Sequence, residues 1–201
     1  NLDCIDSFMN NENNQQYALY IKNAINSTDE MNDTINMIVA LTKMEEGLLT
    51  LKNESIDLQS LFLDLKNRFL QSTAKEVQIN IYTETDNTHL MGDCRLLWQC
   101  FANIIDNAIK YSNNKVQVDI TIRQQEHWMA ISVKDNGRGI SEDNLQLIFN
   151  KYSRIDTDNS GVKGFGIGLN YVKNIIEKHK GKINVSSKAG EGSEFTILLP
   201  G

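Results

Sequence analysis

The first 46 residues contain neither glycine nor proline, and Gly47 is the first residue suited to ending a helix in a left-handed backbone. Proline occurs once in the 201 residues, as Pro200, so no earlier helix is broken by it. Positions Ile21, Ala24, Thr28, Met31, Ile35, Ile38 and Thr42 step alternately by three and four residues. That is a heptad-like helix seam, partly polar. It predicts a helix from about Asn14 to Glu46 that stops at Gly47. Helices of compact domains average ~11 residues, so this length points to a helical hairpin or bundle. Residues 1–9 (NLDCIDSFM) then form the stub of an earlier helix, and residues 10–14 the connecting loop. The seam either pairs in a dimeric bundle or packs on its own domain, and its length favours the bundle.

Hydrophobic residues make up 40% and charged residues 23% of the chain, the composition of a folded protein. The net charge of -6 repels nucleic acid and anionic lipid, which excludes general backbone binding. A phosphate ligand must be held locally, by backbone N–H groups, a metal or a few placed cations. Cys4, Cys94 and Cys100 are an odd set without a CxxC pair, so neither a disulfide scaffold nor a zinc site is expected. Cys94 and Cys100 fall six residues apart on one predicted helix and do not face each other. The expectation is reduced thiols in the cytoplasm, with no direct membrane contact, since no apolar run approaches ~18 residues.

After Gly47 the texture changes, and we place a domain boundary between residues 48 and 49. Leu49–Leu51 is a short strand candidate. A helix is expected over Ile56–Phe69, with Leu58, Leu61, Phe62, Leu65 and Phe69 on one face. Val77–Tyr82 alternates as a strand. Asp93 is a good N-cap for a helix over Cys94–Tyr111, and strands follow at Val116–Arg123 and Trp128–Val133. Ser141 should cap a short helix with Leu145, Ile148 and Phe149 inward, before a polar loop over 150–166. A helix over Leu169–His179 and strands at Ile183–Ser186 and Phe195–Leu199 complete the pattern. The sum is α+β: a mixed, mostly antiparallel sheet covered by three helices, preceded by the long helix.

Three segments carry chemistry. In NIIDNAIKYS, Asn103, Asn107 and Lys110 line one helix face. Two carboxamides and an ammonium there can hold a hydrated divalent cation and phosphate oxygens, or form a solvated polar face. In Asp135-Asn136-Gly137-Arg138-Gly139-Ile140, directly after a strand, the glycines allow a sharp turn and close ligand approach. Asp135 could accept a hydrogen bond from an exocyclic amine, though an ordinary turn gives the same pattern. Gly164-Phe165-Gly166-Ile167-Gly168-Leu169 enters a helix, whose free N–H groups make an anion site. It lacks the βαβ context of a dinucleotide fingerprint and the GK[ST] of a Walker loop.

Order and spacing together carry a resemblance. The sequence resembles the catalytic region of bacterial sensor histidine kinases, which has the Bergerat ATP-binding fold shared by gyrase, heat-shock protein 90 and mismatch-repair ATPases. NIIDNAIKYS looks like the N box, DNGRGI the first glycine box, IFNKYSRID (148–156) the F box, and GFGIGL the second glycine box. The ending GKINVSSKAGEGSEFTILLP looks like the family's last hairpin. Residues 1–48 then correspond to part of a dimerisation and histidine-phosphotransfer hairpin, and 49–201 to the catalytic domain.

The resemblance implies ATP and Mg²⁺ as cofactors, and roles residue by residue. Asn107 would ligate Mg²⁺, Asn103 lie beside the phosphates and Lys110 contact them. Tyr111 would pack near the base or ribose, and Asp135 bind adenine N6, with Gly137, Gly139 and Ile140 shaping that pocket. Phe149, Tyr152 and Arg154 take F-box places, Arg154 as a candidate for steadying the transferring phosphate. Gly164, Gly166, Ile167, Gly168 and Leu169 would present N–H groups to phosphate beneath a lid over 150–166. The family's ATPases carry Glu at the first N-box position as general base, where this chain has Asn103. An amide cannot take that proton, which argues for transfer to an acceptor side chain. None of His89, His127 and His179 matches the family's H box, so the acceptor histidine is expected outside this sequence. The implied partners are a second copy, through the hairpin, and a response regulator receiver domain. The alternatives are a non-catalytic nucleotide-binding module and a Bergerat-fold ATPase.

Overall fold

The structure is a computed structural model that describes residues 12–73, 75–113, 115–153 and 165–201. The chain divides into two compact units, one ending at Ala40 and the other spanning Leu41–Gly201.

Helix α1 runs over Glu12–Glu45, 34 residues without a helix breaker. It closes with the hydrogen bonds of a Schellman motif: Leu48 N donates to Lys43 O at 2.7 Å and Gly47 N to Met44 O at 3.0 Å. Gly47 sits at φ +70° with open space where a Cβ would be, so the backbone angle alone asks for glycine. Every seam residue from Ile21 to Thr42 is exposed, Ile21 at 61% and Met31 at 66%.

The second unit is built on a five-stranded sheet. In chain order the strands and helices are β1 (Glu54–Asp57), α2 (Leu58–Ser72), β2 (Glu76–Thr83), β3 (His89–Gly92), α3 (Cys94–Lys110), β4 (Lys115–Gln125), β5 (Trp128–Asp135), α4 (Glu142–Leu145), α5 (Gly168–Lys178), β6 (Lys182–Lys188) and β7 (Gly192–Pro200). The sheet order is β2-β4-β5-β7-β6, and β1 and β3 form a separate antiparallel pair. Among the described residues only β2 and β4 pair in parallel, and α3 lies on the crossover between them. Register explains the layering. Ile120, Val133, Phe195 and Val185 form one cross-strand row, and Ile122, Ile131, Ile197 and Ile183 another. The intervening row, Thr121, Ser132, Thr196 and Asn184, is polar and belongs to the opposite face.

The predicted face of α2 is the buried one: Leu58, Leu61, Phe62, Leu65 and Phe69 are all in the core. Phe62 and Phe101 of α3 meet at a ring-centroid distance of 4.7 Å, an aromatic pair worth about 0.5–1.5 kcal/mol beyond its buried area. Asp93 caps α3 by accepting from Leu96 N at 3.1 Å. Cys100 is fully buried and Cys94 partly exposed, on different faces as expected.

Three local expectations are corrected. Residues 49–51 form no strand: Leu49 is buried, but the first strand is Glu54–Asp57. Helix α2 starts at Leu58 rather than Ile56, because Asp57 caps it from Gln59 N and Ser60 N. Ser141 makes no backbone cap to α4, its hydroxyl instead accepting from Asn144 Nδ2 at 2.8 Å, and only Ile148 of the three inward residues is buried. The strand β3, four residues long, has no counterpart in the sequence pattern.

Candidate nucleotide site

The last two turns of α3 carry Asn103, Asn107 and Lys110 on one face, as the spacing requires. The C-terminal end of α3 is secured from outside the helix. Lys75 Nζ donates to Ile109 O at 2.6 Å and Ser112 O at 2.8 Å, which satisfies carbonyls left over at a helix end. The Ser112 hydroxyl donates to Ala108 O at 2.6 Å.

Asp135 ends the central strand β5 with its side chain buried. Its Oδ1 accepts from Gly137 N at 2.7 Å and Ser193 N at 3.2 Å. Among the described residues nothing donates to its Oδ2. Burial pushes the carboxyl above its ordinary value, and the two amide bonds pull it part of the way back. The group is therefore a buried acceptor with one oxygen in use and one left over.

Gly137 is required by space. A Cβ there would lie 2.7 Å from Asp135 Oδ1 and 3.0 Å from both Ser112 Oγ and Tyr111 O. Gly139 answers a different need: at φ +67° it presses against the Lys188 backbone, so it docks the loop on the β6–β7 hairpin. Ile140 N donates to Ser187 Oγ at 2.8 Å and Arg138 O accepts from Gly190 N at 2.7 Å, holding the same contact. The Arg138 guanidinium lies 4.7 Å from the ring centroid of Tyr111, which is 40% exposed.

Helix α5 brings the last glycine segment to α3. Gly168 opens it, and a Cβ at Gly168 would overlap Asn103 Oδ1. The N-cap residue of α5, Ile167, makes no side-chain cap, and the start of a helix carries a partial positive charge. Gly166, at φ +67°, packs against the Tyr152–Ser153 backbone, and Asn170 Nδ2 donates to Phe149 O at 2.9 Å. Ile167 is buried and Leu169 partly so. Lys110 pairs with Asp106 at 2.7 Å. The half-buried Asn107 carboxamide makes no hydrogen bond to any described residue.

The fold thus joins all four segments: Asn103 to Gly168, Tyr111 and Ser112 to Gly137, and the 149–153 stretch to Gly166 and Asn170. Tyr152 is 69% exposed with φ +63°. Arg154 and Gly164 lie outside the described residues, as does most of the expected lid. Sequence reasoning missed Ser193 and Ser187. Their role depends on hairpin register, which no local pattern reveals.

A sheet covered on one face by helices, a buried acceptor at a strand end and a glycine-led helix start beside an asparagine stripe define a nucleotide-binding domain of the Bergerat type. Residues 92–201 match the family described as histidine kinase-, DNA gyrase B-, and HSP90-like ATPase, and the chain belongs to that family. ATP is the nucleotide this membership implies. Sensor protein RprX of Bacteroides fragilis (strain YCH46) is 32% identical over 190 residues, which is 92% of this chain. The chain spans 37% of the length of that relative. Among solved structures, full-length ShkA in complex with AMPPNP superposes with a TM-score of 0.75 at 20% identity, over 96% of this chain and 40% of that one. Histidine kinase ThkA in complex with response regulator protein TrrA gives 0.64 at 20% identity, over 85% of this chain and 48% of that one. These two likenesses show the shared fold.

Proposed function

We propose that the chain is the ATP-binding catalytic region of a sensor histidine kinase, with part of its helical hairpin at residues 1–48 and the catalytic domain at 49–201. The observation that carries this reading is that one helix, α3, meets Gly168 through Asn103 and, at its end, the Gly137 turn of a buried Asp135 whose Oδ2 is left over. In it, Asp135 Oδ2 accepts the adenine amine, Gly137 lets the base approach and Tyr111 flanks it. The N–H groups of Gly164, Gly166 and Gly168 hold phosphate, with Asn103 and Lys110 alongside. Phe149 and Asn170 tie the F-box stretch to α5.

Asn107 would hold Mg²⁺. Among the described residues no three His, Cys, Asp or Glu side chains cluster as a metal cage. A single amide oxygen suits a hard cation that keeps its waters and leans on substrate phosphates. When bound, that cation neutralises triphosphate charge. Asn103 Nδ2 donates to Gln99 O at 3.2 Å, and its amide cannot serve as a base for water, so transfer is favoured over hydrolysis. Arg154 steadies the transferring phosphate.

The acceptor is a histidine on a separate hairpin segment, and the phosphate moves on to an aspartate of a response regulator. None of the chain's own histidines suits the role: His89 sits in β3, His127 in the β4–β5 turn and His179 at the buried end of α5. The exposed α1 seam supports pairing with a second copy through that hairpin. We place the chain in the cytoplasm. Incubation with labelled Mg·ATP and a separately prepared acceptor hairpin tests the reading. Label on the hairpin supports it, and nucleotide binding without transfer refutes it.

A further inference from the structure

His179 is set aside by the proposed chemistry, yet it is buried at the end of α5. Its Nδ1 lies 2.8 Å from Ile175 O, a partner that can only accept, so Nδ1 carries the hydrogen. Its Nε2 is then a bare acceptor, and it takes Asp93 N–H at 3.0 Å. Asp93 is the N-cap of α3. The same carboxylate accepts Leu96 N through Oδ1 and Lys52 N through Oδ2.

The surrounding packing is shaped to this ring. A Cβ on Gly92 would lie 3.1 Å from His179 Cδ2 and 3.4 Å from Nε2. It would lie nearer still to Leu97 Cδ1, at 3.0 Å, so glycine at the end of β3 makes room for the leucine and the imidazole together. Helix α5 is held against α3 at both of its own ends. At one end Gly168 opens α5 against Asn103, and at the other His179 closes α5 against Asp93. The helices run antiparallel, so a tilt of α5 about either contact moves the other.

We propose that neutral His179 is a positioning residue for the nucleotide site: it pins the end of α5 to the cap of α3 and so fixes where the glycine N-terminus of α5 meets Asn103. The inference rests on the nucleotide-binding reading above. Its physical content is a coupling between two contacts on one rigid element, of the size of about fivefold to 150-fold typical of linked sites.

Binding of Mg·ATP by the 201-residue chain is measured by calorimetry, well below the melting temperature, for wild type, His179→Leu, His179→Gln and Leu65→Ala. Leu65→Ala destabilises the α2 core away from the site and controls for stability alone. His179→Leu should raise Kd about tenfold, a coupling within the usual range. His179→Gln keeps an acceptor and should bind within about twofold of wild type, and Leu65→Ala likewise. Equal Kd for His179→Leu and Leu65→Ala overturns the inference. Failure of the wild type to bind removes the nucleotide reading itself, a distinguishable result. A measurement on wild type covers the case in which His179→Leu does not fold. Nucleotide should slow hydrogen exchange at Asp93 N–H more than at Ile79 in β2, and equal slowing at both overturns the pin.

Discussion

Replacing Asp135 by Asn separates ligand recognition from folding. The amide keeps Oδ1, so Gly137 N and Ser193 N retain their acceptor. What changes is the second atom: an acceptor oxygen becomes an NH₂ donor that would face the amine of the base. A hydrogen bond to a charged group contributes about 1.5–3 kcal/mol, so losing it should weaken Mg·ATP binding by roughly 10- to 150-fold. Folding should move the other way. Burial raises the carboxyl pKa, so the ionised form is held in the fold at a cost. The protonated carboxyl's favourable contribution to stability is therefore complete below the unfolded carboxylate value and is lost as pH rises through the higher folded value. Asp135→Asn removes the cost, so at pH 7 the variant should unfold at the same or higher urea concentration than wild type. Calorimetric titration and urea unfolding read the two effects separately. Unchanged affinity, or an affinity loss matched by a loss of stability, would refute the role assigned to Asp135.

Two further changes test other parts of the account. Gly168→Ala adds a methyl that overlaps Asn103 Oδ1; alanine favours the helix by up to ~1 kcal/mol, so stability should hold. Binding should nonetheless fall by about tenfold as Asn103 and the first turn of α5 part, since one misplaced contact of about 1.4 kcal/mol has that size. Asp57 accepts from Ser60 Oγ and from Thr88 Oγ1 and caps α2, which lowers its pKa from 3.8 to about 2. Stability from this group is present above 3.8 and lost as pH falls through about 2. Asp57→Ala should cost about 1–2 kcal/mol at neutral pH, as for other N-cap losses. Urea midpoints measured from pH 6 to 2 should converge for the two proteins.

Long periodic elements were legible because their burial is local in sequence. Helix α2 buries the five residues its spacing selects, and α3 starts where Asp93 marks it. The β1–β3 pair was not, because Glu54–Asp57 and His89–Gly92 are four-residue strands with too few alternations to show a period. Leu49 misled for the same reason: its burial is tertiary, with no strand beneath it. Within the site, motif order indicated which segments matter, and the fold shows what holds them. Gly139 packs against Lys188, and Ser193 is a second donor to Asp135 from 58 residues away. His179 read as an ordinary helix end, because its partner Asp93 lies 86 residues distant.

Phosphate transfer tests the central claim most directly. The chain is incubated with γ-labelled ATP, with and without Mg²⁺, beside a separately prepared hairpin that carries a phosphoacceptor histidine. Label should appear on the hairpin only with Mg²⁺, in an acid-labile and base-stable linkage, and little free phosphate should accumulate. Steady phosphate release with an unlabelled hairpin would contradict the account, and so would tight nucleotide binding with neither product.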